Sequence, residues 1–372
     1  MWVSELELHH FRNHSHTTLA LPAGVSVFVG SNGQGKTNLI EAIGYLAYQS
    51  SHRVAQDRTL VQEGQDTAVV RARVNHADRH AEVAAEISLR GANRAKLAGN
   101  TVSMGELSGW VKAVLFTPED LSLIRGEPAG RRRYLDSTMT VLRPATAAIL
   151  GDYERVVKQR NALLKTHRGR PTPELESTLR GWDDAFVDLA GAYTTARVQL
   201  LRQLSPAVTA AYATVAPGND VSLGLESTAM TDEGLLAEDL EGHYRSELDR
   251  QRRAEWERGM TLVGPHRDDL ALVLNGLPSR THSSQGEAWS LALGLRMAQA
   301  VLYREESTSG DPIMILDDVF AELDRSRRAT LEALVADYEQ VLVTAAVWED
   351  VPEAFSGQVF DVANGEVSPR GQ

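Results

Sequence analysis

A glycine-rich loop at residues 30–37 constrains the fold of this chain more than any other stretch, because it fits the pattern G-x-x-x-x-G-K-[ST]. The residues just before it, 25–29, are mostly β-branched or aromatic, which is typical of a buried strand. After the loop, Leu39, Ile43 and Leu46 recur at helical spacing. A strand, a tight loop and a helix in this order predict an α/β fold built around the loop.

The residue types in the loop suit phosphate binding. Its glycines allow a tight turn that presents backbone N–H groups to phosphate oxygens at the start of a helix. Lys36 would reach the β- and γ-phosphates, and the Thr37 hydroxyl would coordinate Mg²⁺. A glycine-rich turn that matches by chance is the alternative. The candidate nucleotide contacts are Gly30, Ser31, Asn32, Gly33, Gln34, Gly35, Lys36, Thr37 and Asn38.

Composition narrows the class of protein. The chain has 372 residues, enough for two domains, and 42% of them are hydrophobic, which is ordinary for a globular protein. It contains no cysteine, which excludes disulfides, thiolate metal sites and a cysteine nucleophile. The N-terminus lacks the order of a signal peptide, and no apolar run approaches the roughly 18 residues of a membrane span. We expect a cytoplasmic protein without membrane contact.

The pattern along the chain predicts three segments. Residues 1–120 would form the first half of a nucleotide-binding head with a sheet-rich lobe, and residues 259–372 the second half. Strands and helices alternate after residue 260, which predicts a parallel sheet. Residues 121–258 would be a helical insertion, because residues 175–193 carry a heptad seam. An ordinary bundle and a protruding two-helix arm both fit this seam.

Two acidic residues follow an apolar run. Residues 313–316 are apolar and precede Asp317 and Asp318, as expected where a buried strand emerges beside a phosphate-binding loop. Asp317 would then hold Mg²⁺, and Asp318 would orient or deprotonate the attacking water. An apolar strand that ends in aspartate is a weak pattern by itself, but its position in the chain strengthens it.

Ser283 to Glu287 precede another helical stretch. A serine and free N–H groups at a helix N-terminus form an anion site, although the same pattern is also an ordinary N-cap.

Together these motifs resemble the ABC-type ATPases of the SMC-like class, and in finer detail the RecF family of DNA replication and repair proteins. The resemblance covers most of the chain. It rests on the segments 11–13, 33–38, 118–121, 124–128, 131–136, 264–269 and 316–324.

The resemblance implies an ABC-type head that closes as a homodimer on two ATP molecules with Mg²⁺. Lys36 and Asp318 would be catalytic, Thr37 and Asp317 would bind the metal, and Arg12 would join the nucleotide contacts. The signature of one copy would meet the γ-phosphate held by the other. The signature residues are Ser284, Gln285, Gly286 and Glu287.

The resemblance also implies ATP-dependent binding to duplex DNA and to junctions of double- and single-stranded DNA. The function would be recombinase loading in repair, with weak, DNA-stimulated ATP hydrolysis and with RecR and RecO as partners. The net charge of −12 means that DNA contacts must come from local basic patches, unless these residues simply form a solvated helix face. The candidates are Arg131, Arg132, Arg133, Lys158 and Arg160.

Two departures and two alternatives limit these expectations. ABC-type ATPases usually place a glutamine after the lobe's last strand and a histidine after the strand at 340–344, whereas this chain has Pro118 to Asp120 and Thr344 to Ala346 there. Slow hydrolysis is therefore expected. The alternatives are an SMC-type structural clamp and the ATPase subunit of an ABC transporter.

Overall fold

The computed structural model describes residues 1–54, 56–76, 79–230, 236–306, 310–353, 355 and 357–371, except the side chain at position 322. The chain forms two compact units. The first comprises residues 1–124, 207–219 and 284–372, and the second comprises residues 125–206 and 220–283.

The strands are β1 Trp2–Phe11, β2 His14–Ala20, β3 Gly24–Val29, β4 Thr67–His76, β5 Arg79–Ser88, β6 Arg94–Leu97, β7 Asn100–Val102, β8 Ala113–Phe116, β9 Val221–Glu226, β10 Asp269–Leu274, β11 Leu277–Pro278, β12 Ile313–Asp317, β13 Gln340–Ala345, β14 Gln358–Ala363 and β15 Glu366–Pro369. The α-helices are α1 Lys36–Tyr48, α2 Leu121–Arg125, α3 Pro128–Leu142, α4 Thr146–Thr166, α5 Pro173–Val215, α6 Leu240–Arg258, α7 Ser279–His282, α8 Gln285–Glu305 and α9 Arg325–Val335. Short 3₁₀ turns span Asp57–Leu60, Met104–Leu107, Pro118–Asp120, Pro265–Arg267, Val319–Glu322 and Trp348–Asp350.

The first unit contains a six-stranded sheet in the order β15-β14-β3-β13-β12-β8. Its strands pair in parallel except for the β14–β15 hairpin. This confirms the α/β fold class and the parallel sheet that the strand and helix alternation predicted. Because β3, β13 and β12 are neighbours and parallel, the loops after them all open at the same edge of the sheet.

A second six-stranded sheet in the same unit is antiparallel, in the order β2-β1-β4-β5-β6-β7. Helix α1 packs against strands of both sheets. It is apolar around most of its circumference for this reason, and Leu39, Ile40, Ile43 and Leu46 are all buried. The helix that follows the glycine loop therefore anchors that loop in the hydrophobic core between the two sheets.

The second unit is mostly helical. Helices α4 and α5 pack antiparallel, because Leu164 clusters with Leu179 while Tyr153, earlier in α4, lies beside Phe186 and Tyr193, later in α5. Residues of the predicted heptad seam thus make these contacts. The unit also contains a three-stranded sheet in the order β11-β10-β9, whose strand β9 falls within the segment predicted as helical.

The three-segment division at residues 120 and 258 stays a prediction about domains. The two compact units differ from it in three places, since residues 121–124 and 207–219 belong to the first unit and residues 259–283 to the second. Within the first unit, the backbone and Cβ of Tyr212 would lie only 3.5 Å from a Cβ at Gly294 of α8, so the end of α5 packs closely there.

Candidate functional site

The glycine loop connects β3 to α1 and is shaped by close backbone contacts. A Cβ at Gly30 would lie 2.2 Å from the carbonyl oxygen of Val362 in β14, so no side chain fits there. Gly35 has a φ of 116° and ends the loop directly before α1, in a region that other residues rarely adopt. The glycines at these two positions are therefore required by the fold of the loop itself.

The turn between β1 and β2 supports this loop from behind. Asn13 donates from Nδ2 to the Gln34 carbonyl at 3.0 Å, and it accepts from Asn38 Nδ2 at 2.8 Å. The fully buried His14 lies with Nε2 at 3.1 Å from the Gly35 carbonyl and Nδ1 at 2.8 Å from the Gly365 carbonyl. These contacts fix the loop backbone before any ligand binds.

Lys36 is buried at the start of α1. Its ammonium donates to the Ser31 carbonyl at 3.4 Å and lies 3.9 Å from Asp318 Oδ2, with only 3% of the side chain exposed. The positive charge is thus held between the loop and the acidic strand end, where the phosphates predicted from the motif would lie.

Thr37 and Asp317 are joined by a direct hydrogen bond. Thr37 Oγ1 donates to Asp317 Oδ1 at 3.1 Å, and Thr344 Oγ1 at the end of β13 donates to the same carboxylate oxygen at 2.6 Å. The backbone N–H of Asp318 donates to Thr344 Oγ1 at 2.9 Å. The first turn of α1 and the ends of the neighbouring strands β12 and β13 therefore meet at one carboxylate.

Burial changes the acidity of both aspartates. It raises the pKa of Asp317 to about 6, and the nearby Asp318 and Glu119 charges act in the same direction. Burial also raises the pKa of Asp318, although the Lys36 ammonium opposes the shift. Asp350 and Glu119 add negative potential around Asp318. A cation at this point would relieve the repulsion among these carboxylates.

The oxygen atoms present fit Mg²⁺. Two ligands at right angles around an octahedral Mg²⁺, each 2.0–2.1 Å from the ion, are roughly 2.9 Å apart. The hydroxyl of Thr37 and the carboxylate of Asp317 are 3.1 Å apart, close to that spacing.

The signature segment begins α8. Ser284 is its N-cap, and its side chain accepts from the Glu287 N–H at 3.3 Å while Glu287 Oε2 accepts from the Ser284 N–H at 2.8 Å. Ser284 and Gln285 are exposed. A side chain at Gly286 would collide with the guanidinium of Arg327, since a Cβ there would lie 2.3 Å from Arg327 Nη2. Ser284 is thus both the predicted N-cap and the exposed serine of the predicted anion site.

At the two positions where this chain departs from the ABC pattern, the residues present make polar contacts of their own. In the turn Pro118–Asp120, Asp120 accepts from the Thr117 N–H and from Arg296, whereas Glu119 is exposed. At the end of β13, Thr344 makes the contacts to the acidic pair described above. A cleft at this edge of the sheet lies beside both positions. Its lining residues include Asn32, Pro118, Asp318, Phe320, Thr344 and Asp350.

Comparison with known proteins identifies the family. The model of the RecF/RecN/SMC N-terminal domain matches residues 2–364. The DNA replication and repair protein RecF of Frankia alni is 47% identical over 99% of this chain and 99% of its own length. RecF of Clavibacter sepedonicus is 43% identical over 99% of this chain and 95% of its own length. The chain belongs to the RecF family.

A solved RecF agrees over the whole chain. The structure of the recombination mediator protein RecF-ATPrS in the RecFOR pathway has a TM-score of 0.90, at 28% identity, covering 100% of this chain and 98% of the other. An Smc head domain from Pyrococcus furiosus reaches only 0.54 at 16% identity, which shows a shared fold and nothing more. These findings confirm the predicted ABC-type head and the RecF assignment, and they place the protein in DNA repair rather than among SMC clamps.

Two of the predicted DNA contacts are wrong, because their side chains are buried in this RecF family member. Arg131 is 3% exposed and forms two hydrogen bonds of 2.7 Å with the Asp269 carboxylate. Arg160 is fully buried and donates to Asp183 and Glu255. Both guanidinium groups serve ion pairs inside the second unit, so neither is available to a phosphate.

The other three candidates stay predictions. Arg132 is half-buried and donates to the Asp268 carbonyl at 2.8 Å, whereas Arg133 and Lys158 are exposed. The roles predicted for the nucleotide, metal and signature residues also stay predictions.

Residues 264–269 make buried contacts within the second unit. His266 contacts the Tyr153 hydroxyl at 2.7 Å, and burial lowers the pKa of His266 to about 4. Arg197 joins Asp136 to Asp268. The motifs at 131–136 and 264–269 are therefore linked by ion pairs.

Sequence reasoning missed several contacts that support the site, among them the partner of Arg12, a residue predicted only as a nucleotide contact. Arg12 pairs through Nε and Nη2 with the buried Glu41 of α1, at 3.0 and 2.8 Å. His14 and Thr344 support the loop and the acidic pair. A buried polar residue inside an apolar pattern was the only available signal, and the pattern does not reveal its partner.

Across the described residues, we find no helix that combines the length and apolar character needed to cross a bilayer.

Proposed function

We propose that this protein binds ATP with Mg²⁺ and uses it to control binding to DNA in recombinational repair. The contact between Thr37 and Asp317 carries the proposal, because it joins the phosphate-type loop to the acidic strand end at a spacing that suits Mg²⁺. RecF relatives are named as DNA replication and repair proteins, and the solved neighbours carry ATP or an ATP analogue.

The roles of the site residues follow from their positions. Lys36 would neutralise the phosphates, and backbone N–H groups of the glycine loop would bind their oxygens. Mg²⁺, held by Thr37 and Asp317, would neutralise charge that develops on the phosphates. Asp318 lies beside Lys36 and faces the cleft, so it would orient water and accept its proton. The absence of a glutamine and a histidine at the usual positions supports slow hydrolysis. We propose that DNA stimulates this hydrolysis.

We further propose that two copies complete each site. Ser284 is exposed at the N-terminus of a long helix, where N–H groups and the helix dipole favour an anion. The γ-phosphate held by a second copy would be that anion. ATP then bridges the copies, and hydrolysis removes the bridging group. DNA with duplex and single-stranded parts would be the target, and RecR and RecO the protein partners in the RecFOR pathway.

DNA affinity with and without nucleotide tests the function. Fluorescence anisotropy with a gapped duplex should show tight binding by the wild type only with ATP and Mg²⁺. Lys36→Ala should lose this dependence, whereas Lys96→Ala, which removes an exposed lysine on β6, should keep it. Equal affinity of the wild type with and without ATP would contradict the proposal.

Sedimentation tests the shared site. Ser284→Arg should bind ATP but remain monomeric, because a long cation would occupy the space of the second copy's phosphate. Ser284→Thr keeps a capping hydroxyl and should dimerise with ATP. If Ser284→Arg dimerises as the wild type does, the two-copy site is wrong while ATP-dependent DNA binding could still hold.

A further inference from the structure

Three side chains outside the nucleotide site bring metal-ligand atoms together on the antiparallel sheet. One ring nitrogen each of His9 and His16 and one carboxylate oxygen of Glu7 all lie within 4.8 Å of one another. His9 in β1 lies directly opposite His16 in β2, and Glu7 is two residues from His9, so all three project from one face. The two imidazole rings are 4.5 Å apart between centroids.

The side chains have both access and room to move. Glu7 is 24% and His9 is 37% exposed, and His16 is exposed. Ligand atoms around a tetrahedral ion with bonds of about 2.0 Å lie roughly 3.3 Å apart. His9 Nε2 and Glu7 Oε1 are already 2.7 Å apart. Small rotations of partly exposed side chains would therefore bring all three atoms onto one ion, with water as the fourth ligand.

Neighbouring residues hold the cluster in place. Arg71 in β4 donates from Nη1 to Glu7 Oε2 at 2.9 Å, which leaves Oε1 directed at His9. Thr18, opposite Glu7 in β2, lies 3.3 Å from His16 Nε2. Partners of this kind orient metal ligands in established sites. The same contacts also satisfy the cluster without a metal, so a hydrogen-bonded surface group is the competing explanation.

We propose that Glu7, His9 and His16 form a site for a transition-metal ion such as Zn²⁺. Two imidazoles and one carboxylate favour Zn²⁺, Ni²⁺ or Cu²⁺ over Mg²⁺, which prefers oxygen ligands alone. The site is therefore chemically distinct from the Thr37 and Asp317 pair. The ion links β1 to β2, and Asn13 in the turn between them and His14 at the start of β2 contact the glycine loop.

Calorimetric titration with ZnCl₂ tests the site in the full chain, with ATP absent and any affinity tag removed. One ion should bind per chain, and heating in the presence of Zn²⁺ should give a higher melting temperature. His9→Ala, His16→Ala and Glu7→Gln should each weaken binding at least about tenfold. His282→Ala removes an exposed histidine elsewhere and should leave the affinity unchanged.

A titration at lower pH gives a second measurement. The affinity for Zn²⁺ should fall there, because imidazole binds metal only when neutral and binding should release protons. Circular dichroism of each variant without metal establishes that it remains folded. No binding by the wild type overturns the proposal, because the cluster is then only a hydrogen-bonded surface group. Unchanged affinity in the folded His9→Ala and His16→Ala variants also overturns it, because the ion then binds elsewhere.

Discussion

The Thr344 hydroxyl links the side chain of Asp317 to the backbone of Asp318. It donates to Asp317 Oδ1 at 2.6 Å and accepts from the Asp318 N–H at 2.9 Å. Asp318 has a φ of 50°, a left-handed conformation that costs energy for a residue with a side chain. The hydroxyl therefore stabilises a strained backbone at the residue predicted to orient water. Thr344 is a positioning residue, since it contacts the Asp317 carboxylate and the Asp318 backbone.

Replacing Thr344 with valine should slow ATP hydrolysis by roughly 10- to 100-fold, as expected for loss of a partner that orients a site residue. ATP binding should change little, because the loop and Lys36 are untouched. Thr344→Ser keeps the hydroxyl and should retain most of the rate. Single-turnover hydrolysis with separate measurement of ATP affinity checks this. Equal rates for valine and wild type would show that the hydroxyl does not position Asp318.

The ionised Asp317 carboxylate should support metal binding but lower the stability of the folded chain. Burial raises the pKa of Asp317 to about 6, above that of the unfolded chain, so the native state binds the proton more tightly. The ionised carboxylate thus costs stability above pH 6, on the order of 3 kcal/mol. Asp317→Asn should raise the melting temperature of the nucleotide-free protein at pH 7.5 by a few degrees.

The same variant should lose Mg²⁺-dependent retention of ATP. Its gain in melting temperature should shrink as the pH falls from 6 to below 4, where the wild-type carboxyl is protonated in both states. Differential scanning calorimetry across this range measures the effect. A melting temperature below that of wild type at pH 7.5 would show that the Asp317 carboxylate is not destabilising.

At the scale of elements, strong sequence periodicity was decisive. The loop between β3 and α1, the strand β12 and the helix α8 were predicted to within a few residues, because each combines an apolar pattern with a motif at its end. Strand β9 was missed within a segment that otherwise follows helical spacing, although residues 221–226 do alternate. The hairpin of β14 and β15 was also missed. Its pairing with β3, more than 300 residues earlier in the chain, leaves no local signal.

The sequence does not reveal which side chains pair with each other. The loop, the acidic pair and the serine cap could be predicted because their chemistry fixes residue type and spacing. Arg131 and Arg160 belong to stretches that resemble solvated basic faces. Their carboxylate partners lie 138 and 23 residues away, and a local pattern does not identify such distant pairs.

The helical unit should contact DNA through exposed cations only. Arg133→Ala and Lys158→Ala should weaken ATP-dependent binding uniformly across DNA sequences and lower the slope of log affinity against log salt by about 1 each. Arg160→Ala should instead destabilise the fold by roughly 3–5 kcal/mol, because it leaves buried carboxylates unpaired. Anisotropy at several salt concentrations and thermal unfolding distinguish these effects. An affinity independent of salt would contradict a phosphate-based contact.

At the scale of the whole molecule, the central claim is that the nucleotide site belongs to two copies of the chain. In this proposal, Lys36, Thr37, Asp317 and Asp318 would form one half, and Ser284 would provide the other half for the second copy. Nucleotide binding, dimerisation and DNA affinity then depend on one another, so each should respond to a change in either half.

Mixing two inactive variants tests this claim most directly. Lys36→Ala removes the phosphate-binding half, and Ser284→Arg removes the signature half, so each alone should hydrolyse almost no ATP in the presence of duplex DNA. A mixed dimer contains one intact site, formed by Lys36 from the Ser284→Arg subunit and Ser284 from the Lys36→Ala subunit. We therefore expect hydrolysis to return in the mixture, to at most half of the wild-type rate per dimer. Two folded variants that stay as inactive together as they are apart would contradict the shared site.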